Sequence, residues 1–418
     1  MSRSSTPEFY YRQPRIDHVE NVEKYVPGGY YPVDIGDRIG TNDKRFVVLH
    51  KLGFGGFSTV WLVRSCRDMR YFALKILCAD VTDTNELRIL QHLKSVGPRH
   101  LNIVTLYDSF KVKSPNGEHH CFLFPALGPS LRNLDVAKDL SGPVRHRVCQ
   151  QVASGMAFLH EQGICHGDLT MSNVVFELPD IRFMSPTKLY QLLGPIKAEK
   201  LILANGSFSL HGPKRVIQTP DLSSLDRSLL LNIQIVDFGE AFFANQPPPS
   251  LGIPIQYFPP ELCFGLPPSV GSDIWHLACV LYEIHGRSYL FPAFFPIFEI
   301  LIGTIVRILG PLPSYWKGRF KFDIYGYEEE GREKNEEEPS WWFEDRTLQK
   351  SMNARLSEQA PHLSTAQRGE FAQLLLDMLA YEPEKRLLAV DAVQRLNSAT
   401  FLNINKGFAK PEDNCQPR

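Results

Sequence analysis

The chain has 418 residues and a mass of 47.6 kDa, more than one hydrophobic core usually holds, so length alone favours two lobes or domains. With 43% apolar and 22% charged residues it is too hydrophobic to be disordered throughout and too mixed to be fibrous. Lys and Arg number 45 against 46 Asp and Glu, a formal charge of −1, which excludes the global basic field of a non-specific nucleic-acid binder.

Residues 1 to about 30 carry prolines, tyrosines and mixed charge without periodicity, and 1–39 is expected to form a poorly ordered arm that docks only in part. A β-rich region follows. Phe46–Leu52 and Val60–Val63 are apolar, β-branched runs flanking a glycine-rich turn, and Tyr71–Leu77 gives a third strand. Thr82–Lys94 carries Leu87, Leu90 and Leu93 at helical spacing, and Val104–Tyr107 with Cys121–Phe124 complete a small sheet. From Val144 the period changes: Val148, Val152, Met156 and Leu159 form one helical stripe, stopped by Gly163. Further helices are expected over Asp273–Ile284, Phe298–Leu309 and Phe371–Leu379. The segments 178–230 and 323–345 read as insertions, and Pro186–Pro195 within the first reads as a short helix bounded by prolines. The expected fold class is α+β, an antiparallel sheet with one main helix followed by a larger, mostly helical lobe.

The eight cysteines, at 66, 78, 121, 149, 165, 263, 279 and 415, show no C-x-x-C pair and no zinc-ligand spacing with histidine, so they read as buried thiols of a reducing compartment. Met1–Pro7 has no apolar core of a signal peptide, and Tyr289–Gly310 is broken by Pro292, Pro296, Glu299 and Arg307. A soluble protein of the cytoplasm or nucleus is expected, with no membrane partner.

Gly53-Phe-Gly55-Gly56-Phe-Ser58-Thr-Val60 lies between two expected strands, where residues without side chains let peptide N–H groups approach phosphate oxygens. An ordinary hairpin turn accounts for this segment equally well when it is taken alone. Lys75 ends a strand amid apolar residues and Glu86 follows eleven positions later on a helix, so an ion pair aimed at α- and β-phosphates explains both, while taken alone the two read more simply as a surface lysine and a glutamate near solvent. His166-Gly-Asp168-Leu-Thr170-Met-Ser-Asn173 puts a carboxylate and an amide five positions apart on one loop, and Val236-Asp237-Phe-Gly239 supplies a second carboxylate. In-line phosphoryl transfer needs this set: Asp168 to take the hydroxyl proton, with Asn173 and Asp237 to hold Mg²⁺ on ATP phosphates.

In this order the motifs resemble the eukaryotic protein kinase family from about residue 40 to 405. The resemblance implies a bilobal fold with an N-lobe at 40–127, a C-lobe at 128–405 that carries the insert 178–230, a tail at 406–418, and ATP in the cleft. It also matches Pro259-Pro-Glu261 and Asp273-Ile-Trp275, and implies that Arg386 pairs with Glu261 while Asp273 anchors the loop that begins at His166. For the nucleotide it implies Leu52, Val60 and Ala73 around the adenine, Phe124 at the back of the pocket and Leu127 as the backbone donor, since Pro125 has no N–H. Pro27–Asp37 and the Lys51–Leu62 run, with serine at the third glycine position, look like SR-protein kinases of a divergent fungal type. The implied substrate is a protein Ser/Thr hydroxyl in a basic or Arg/Ser-rich context, with no nucleic acid and with the enzyme a monomer.

The chain departs from the family at three places. Gly167 replaces the arginine before the catalytic aspartate, so phosphorylation of the activation segment is not expected to switch it. Thr170 replaces the lysine that contacts the γ-phosphate, and Pro254 replaces its threonine partner. The alternatives are an active kinase of reduced rate and a nucleotide-binding pseudokinase or scaffold. Ile300 and Arg307 stand where SR-protein kinases carry acidic docking residues. The cluster from Glu328 to Asp345, nine acidic residues against Arg332 and Lys334, is either a solvated loop or another attraction for a basic substrate.

Overall fold

A computed structural model describes residues 9–402 apart from 42–43, 83–84, 98, 136–138, 179–180, 182–183, 223–224, 227–229, 294 and 327–349. The acidic cluster and Cys415 therefore lie outside the described residues. The chain divides into two compact units, one made of 1–99, 104–129 and 176–230, the other of 100–103, 130–175 and 231–418.

The first unit is built on a six-stranded sheet in the order β1-β2-β3-β4-β6-β5, with β1 Arg38–Thr41, β2 Lys44–Phe54, β3 Ser58–Ser65, β4 Tyr71–Leu77, β5 Asp108–Ser114 and β6 Gly117–Phe124. Every neighbouring pair is antiparallel. The β2–β3 register slips between Val48 and His50 and between Lys51 and Gly53, so β2 bends as it enters the glycine-rich turn. Trp61, Val63, Leu74, Ile76, Cys121 and Leu123 form the core behind it. One helix, α1 over Asn85–Ser95, buries Glu86, Ile89 and Leu90.

Two expectations are corrected in this unit. The arm is not loose from residue 9 onward: Tyr11, Val22, Tyr25 and Tyr30 are buried with Cys78, Leu201 and Val216 in one apolar cluster, and the Tyr11 hydroxyl donates to the Tyr25 carbonyl at 2.8 Å. Four apolar or aromatic side chains offset the entropy of ordering the segment, which mixed composition conceals. The insert, expected to belong to the second lobe, clusters with the first unit over Phe176–Leu230. Its Ala198–Lys200 and Arg215–Ile217 strands pair with each other, and the Pro186–Leu193 helix lays Leu189 and Leu193 against Leu62 and Tyr71.

The second unit is mostly helical. Gly142–Glu161 buries Val148, Cys149, Val152, Met156 and Leu159, and Gly163 follows with φ +68°. Val270–Gly286 is buried on all sides from Gly271 onward, its polar Ser272, Asp273, His276, Glu283 and His285 included, which makes it the central helix of the unit. Phe298–Leu309 follows over the expected span, Thr365–Met378 begins six residues before the expected Phe371, and Ala389–Leu396 is a helix the sequence reading did not mark. A small antiparallel sheet with one helix and a larger helical unit constitute the bilobal kinase architecture.

Of the cysteines, Cys66 is exposed, contrary to expectation, because it sits in the turn after β3; the other six described are buried free thiols. Among the described residues no helix is long and apolar enough to cross a membrane. Phe291 is core, stacked on Trp275 at 5.0 Å, whereas Phe295 of the same aromatic run is 65% exposed.

Candidate active site

The glycine-rich turn is closed by the Gly55 N–H donating to the Ser58 carbonyl at 2.9 Å. None of Gly53, Gly55 and Gly56 has φ in the left-handed region, and a Cβ on any of them meets nothing nearer than Ser58 Oγ, 3.9 Å from Gly55. Neither turn geometry nor packing therefore demands glycine here, which removes the usual reason for glycines in a hairpin. What their absence of side chains leaves is open space over an exposed run of peptide groups.

On the sheet, Val60 is opposite Lys75 and Ala73 is opposite Phe124. Lys75 Nζ lies 2.7 Å from Glu86 Oε1, with the side chains 12% and 8% exposed. The pair exists as expected from the sequence, but Glu86 is buried rather than near solvent. The helical period carries the sign of this: Ile89, Leu90 and Leu93 lie three, four and seven positions after Glu86 and share its face. Lys75→Met is consequently expected to cost about 2–4 kcal/mol by leaving a buried carboxylate without its cation. Urea denaturation checks this, and Lys75→Met/Glu86→Gln is expected to recover most of the loss. Leu52 and Leu127 are half-buried; Leu52 and Ala126 pack against the apolar cluster of Leu62, Tyr71, Ile181, Leu189 and Leu193. That the insert supports this edge was not legible in the sequence, because the contacts join positions more than 100 residues apart.

In the second unit the loop after Cys165 is held from below by Asp273. Its Oδ2 accepts the His166 N–H at 2.6 Å and its Oδ1 the Gly167 N–H at 2.9 Å, with His160 Nε2 at 3.1 Å from Oδ2. Burial alone would raise the Asp273 pKa, but the His160 and His276 rings overcome it and hold the carboxyl well below the usual range. The His166 ring accepts the Asp168 N–H, donates to the Val236 carbonyl at 3.1 Å and packs 5.1 Å from Phe238. Burial lowers its pKa, so it is neutral and structural.

Asp168 Oδ2 accepts from Asn173 Nδ2 at 2.9 Å, and the same amide donates to the Asp168 carbonyl at 2.8 Å. Asp168 Oδ1 is buried and has no hydrogen-bond partner among the described residues. Burial first, then the negative charge of Asp237, pushes the Asp168 carboxyl up to about 7. This is a carboxylate with one oxygen fixed and the other vacant, poised to exchange a proton near neutrality. Asp237 is exposed with φ +65°, a backbone state that costs a non-glycine residue about 1 kcal/mol and is over-represented where function requires it. Because Asn173 donates through Nδ2, its Oδ1 is turned the other way. An amide oxygen and one exposed carboxylate suit Mg²⁺, which keeps waters and shares phosphate ligands rather than filling a protein cage. Among the described residues no group of three or more His, Cys, Asp and Glu could hold a metal by itself.

Glu261 and Arg386 form the expected pair, at 2.8 Å and 2.7 Å through Nη1 and Nη2, both side chains fully buried. Ser272 Oγ donates to Glu261, and Arg386 also donates to the carbonyls of Ala380, Gly271 and Tyr381. A second network escaped the sequence reading. Arg132 reaches Glu283 at 2.9 Å and the Tyr257 hydroxyl at 2.8 Å; that hydroxyl also bonds Glu283 and accepts the Met171 N–H at 3.5 Å. It ties the backbone of the loop that begins at His166 to the segment before Glu261, through residues with no local signature.

Gly167 has φ +78°, and a Cβ there would stand 2.2 Å from the Glu240 carbonyl oxygen. The missing arginine thus has a backbone cause. Thr170 is 4% exposed and its carbonyl accepts the Asn173 N–H at 3.0 Å, while Pro254 caps the 255–257 turn.

Residues 46–184 match the family model of the protein kinase domain. The chain is 26% identical to protein kinase dsk1 of Schizosaccharomyces pombe, over 88% of this chain and 83% of the relative. It is 27% identical to the serine/threonine-protein kinase SRPK of Physarum polycephalum, over 90% of each. Against the solved PF14_0431 kinase domain the TM-score is 0.58 at 19% identity, covering 89% of this chain and 98% of the other, which is a likeness of fold.

Proposed function

We propose that this chain, which carries a protein kinase domain related at modest identity to several serine/threonine kinases, transfers the γ-phosphoryl group of ATP to Ser or Thr hydroxyls of proteins. The observation that carries the reading is Asp168, one oxygen held by Asn173 and the other buried without a donor, in a carboxyl whose pKa burial raises towards neutrality. In this reading Asp168 orients and deprotonates the hydroxyl, Lys75 bonds phosphate oxygens, and the glycine-rich turn presents peptide N–H groups to them. Asn173 and Asp237 would hold Mg²⁺, which supplies neutralising charge to the phosphates when bound. Leu52, Val60, Ala73, Phe124 and the Leu127 peptide would receive the adenine. Kinship with an SRPK-type kinase supports a basic, Arg/Ser-rich substrate. Exposed Ile300 and Arg307 on the Phe298–Leu309 helix argue against an acidic groove there. The direct test is phosphate transfer from labelled ATP with Mg²⁺ to a peptide array, beside Asp168→Asn; transfer that survives in the variant overturns the assignment.

A second reading, a nucleotide-binding pseudokinase, is favoured by Thr170 and Pro254. Thr170→Lys with Pro254→Thr is expected to raise kcat about tenfold with little change in KM for ATP, because a cation at this position meets charge that develops in the transition state. Steady-state kinetics check it. No turnover in either form of a folded, ATP-binding protein establishes the pseudokinase.

A further inference from the structure

The segment before β1 grips the glycine-rich turn by its carbonyl oxygens. The Tyr30 hydroxyl donates to the Gly55 carbonyl at 2.7 Å, and Lys24 Nζ donates to the Gly56 carbonyl at 2.5 Å while sitting 4.9 Å from the Phe57 ring centroid. The next carbonyl, Phe57, accepts the Cys78 N–H from the end of β4 at 2.9 Å. Three successive peptide oxygens are thereby each fixed by a donor from outside the turn. A trans peptide is planar, with its N–H pointing opposite to its C=O. Fixing each oxygen therefore also fixes the direction of the N–H in the same peptide, that of Gly56, Phe57 or Ser58, and pre-oriented peptide donors are what an anion-binding turn requires.

The gripping residues are themselves held. Tyr30 is 2% exposed, stands edge-on to Tyr25 at 5.6 Å, and its carbonyl accepts from Asn116 Nδ2 at 2.7 Å. Burial pushes its phenol up to about 12, so the hydroxyl remains a donor. Tyr25 donates to Glu20 at 2.5 Å, and Glu20 is paired in the buried interior with Lys51 of β2, which also donates to the Ile217 carbonyl at 3.1 Å. The turn itself is exposed from Phe54 to Phe57.

We infer that Lys24 and Tyr30 are positioning residues for nucleotide phosphate, pre-orienting the peptide donors of the glycine-rich turn through its carbonyl oxygens. The inference rests on the proposed ATP-binding role of that turn. It is tested by titrating Mg·ATP and, separately, adenosine into the full chain and into Lys24→Met, Tyr30→Phe and Tyr25→Phe by calorimetry. Each of the first two variants is expected to weaken Mg·ATP about 3- to 10-fold, the range of one lost hydrogen bond, and to leave adenosine affinity unchanged. Lys24→Arg is expected to restore most of the loss. Tyr25→Phe removes a bond of the same segment without touching the turn, so it is expected to lower the melting temperature and spare Mg·ATP affinity. Equal weakening by Tyr25→Phe, or parallel loss of adenosine, would reduce the effect to general loosening and overturn the inference. Unchanged Mg·ATP affinity in both contact variants also overturns it. Wild-type protein that binds no Mg·ATP refutes the function reading instead.

Discussion

Asp168→Asn is expected to lower phosphate transfer by about 10³-fold and, at the same time, to raise the melting temperature of the free protein at pH 8. The first effect follows from the proposed role of Asp168 as general base toward the substrate hydroxyl, a role that contributes about 10²–10⁴-fold. The second follows from linkage. The Asp168 carboxyl, pushed from 3.8 to about 7 by burial and by Asp237, holds a proton in the folded state that the unfolded chain has already released. Between about pH 4 and 7 stability therefore falls as pH rises, and above pH 7 the full cost of the buried anion is present. Asparagine retains the shape and removes the charge, so the gain at pH 8 is about 1–3 kcal/mol, the scale of a buried group left unsatisfied, and it vanishes near pH 4. Melting curves from pH 4 to 8 on both proteins check the sign. A parallel offset at every pH would show that Asp168 titrates normally. In wild type the same carboxyl is expected to give the acidic limb of the kcat/KM profile an apparent pKa well above that of a solvated aspartate.

The second large effect is structural. Arg386→Met leaves Glu261 charged and fully buried without its bidentate partner, and strips donors from the carbonyls of Gly271, Ala380 and Tyr381. Breaking such a pair costs about 3–5 kcal/mol. For a unit of this size that lowers the melting temperature by about 10 °C. Arg386→Met/Glu261→Gln is expected to recover about half, because no net charge then remains buried, though the carbonyls stay unpaired. Arg386→Lys is expected to fall near the single methionine variant, since a point charge cannot reproduce the planar fork. Calorimetric unfolding of wild type, Arg386→Met, Glu261→Gln and the double variant closes the cycle, and additivity of the two single changes would refute direct coupling.

The sequence by itself determined the class of each lobe and singled out the candidate site residues. Asp168, Asn173, Asp237, Lys75 and Glu86 stand out because ionisable groups among apolar or loop residues need partners, and that need is written into a fixed order along the chain. Strand and helix periods likewise marked β2 to β4, α1 and the Gly142–Glu161 and Val270–Gly286 helices, since burial of one face is a local pattern. Tertiary structure alone decided how those groups behave. The Lys75–Glu86 pair was readable, but its burial depended on which face of α1 met the sheet. Gly167 read as a missing cation until the Glu240 carbonyl was found 2.2 Å from where its Cβ would lie. The segment before β1 and the 176–230 insert, unremarkable in composition, joined the first unit through Tyr11, Tyr25, Leu201 and Val216, residues that no local period connects. Periodicity records which residues prefer burial, whereas a raised pKa, a gripped carbonyl or a forbidden side chain arises only when distant segments are brought within a few ångströms of one another.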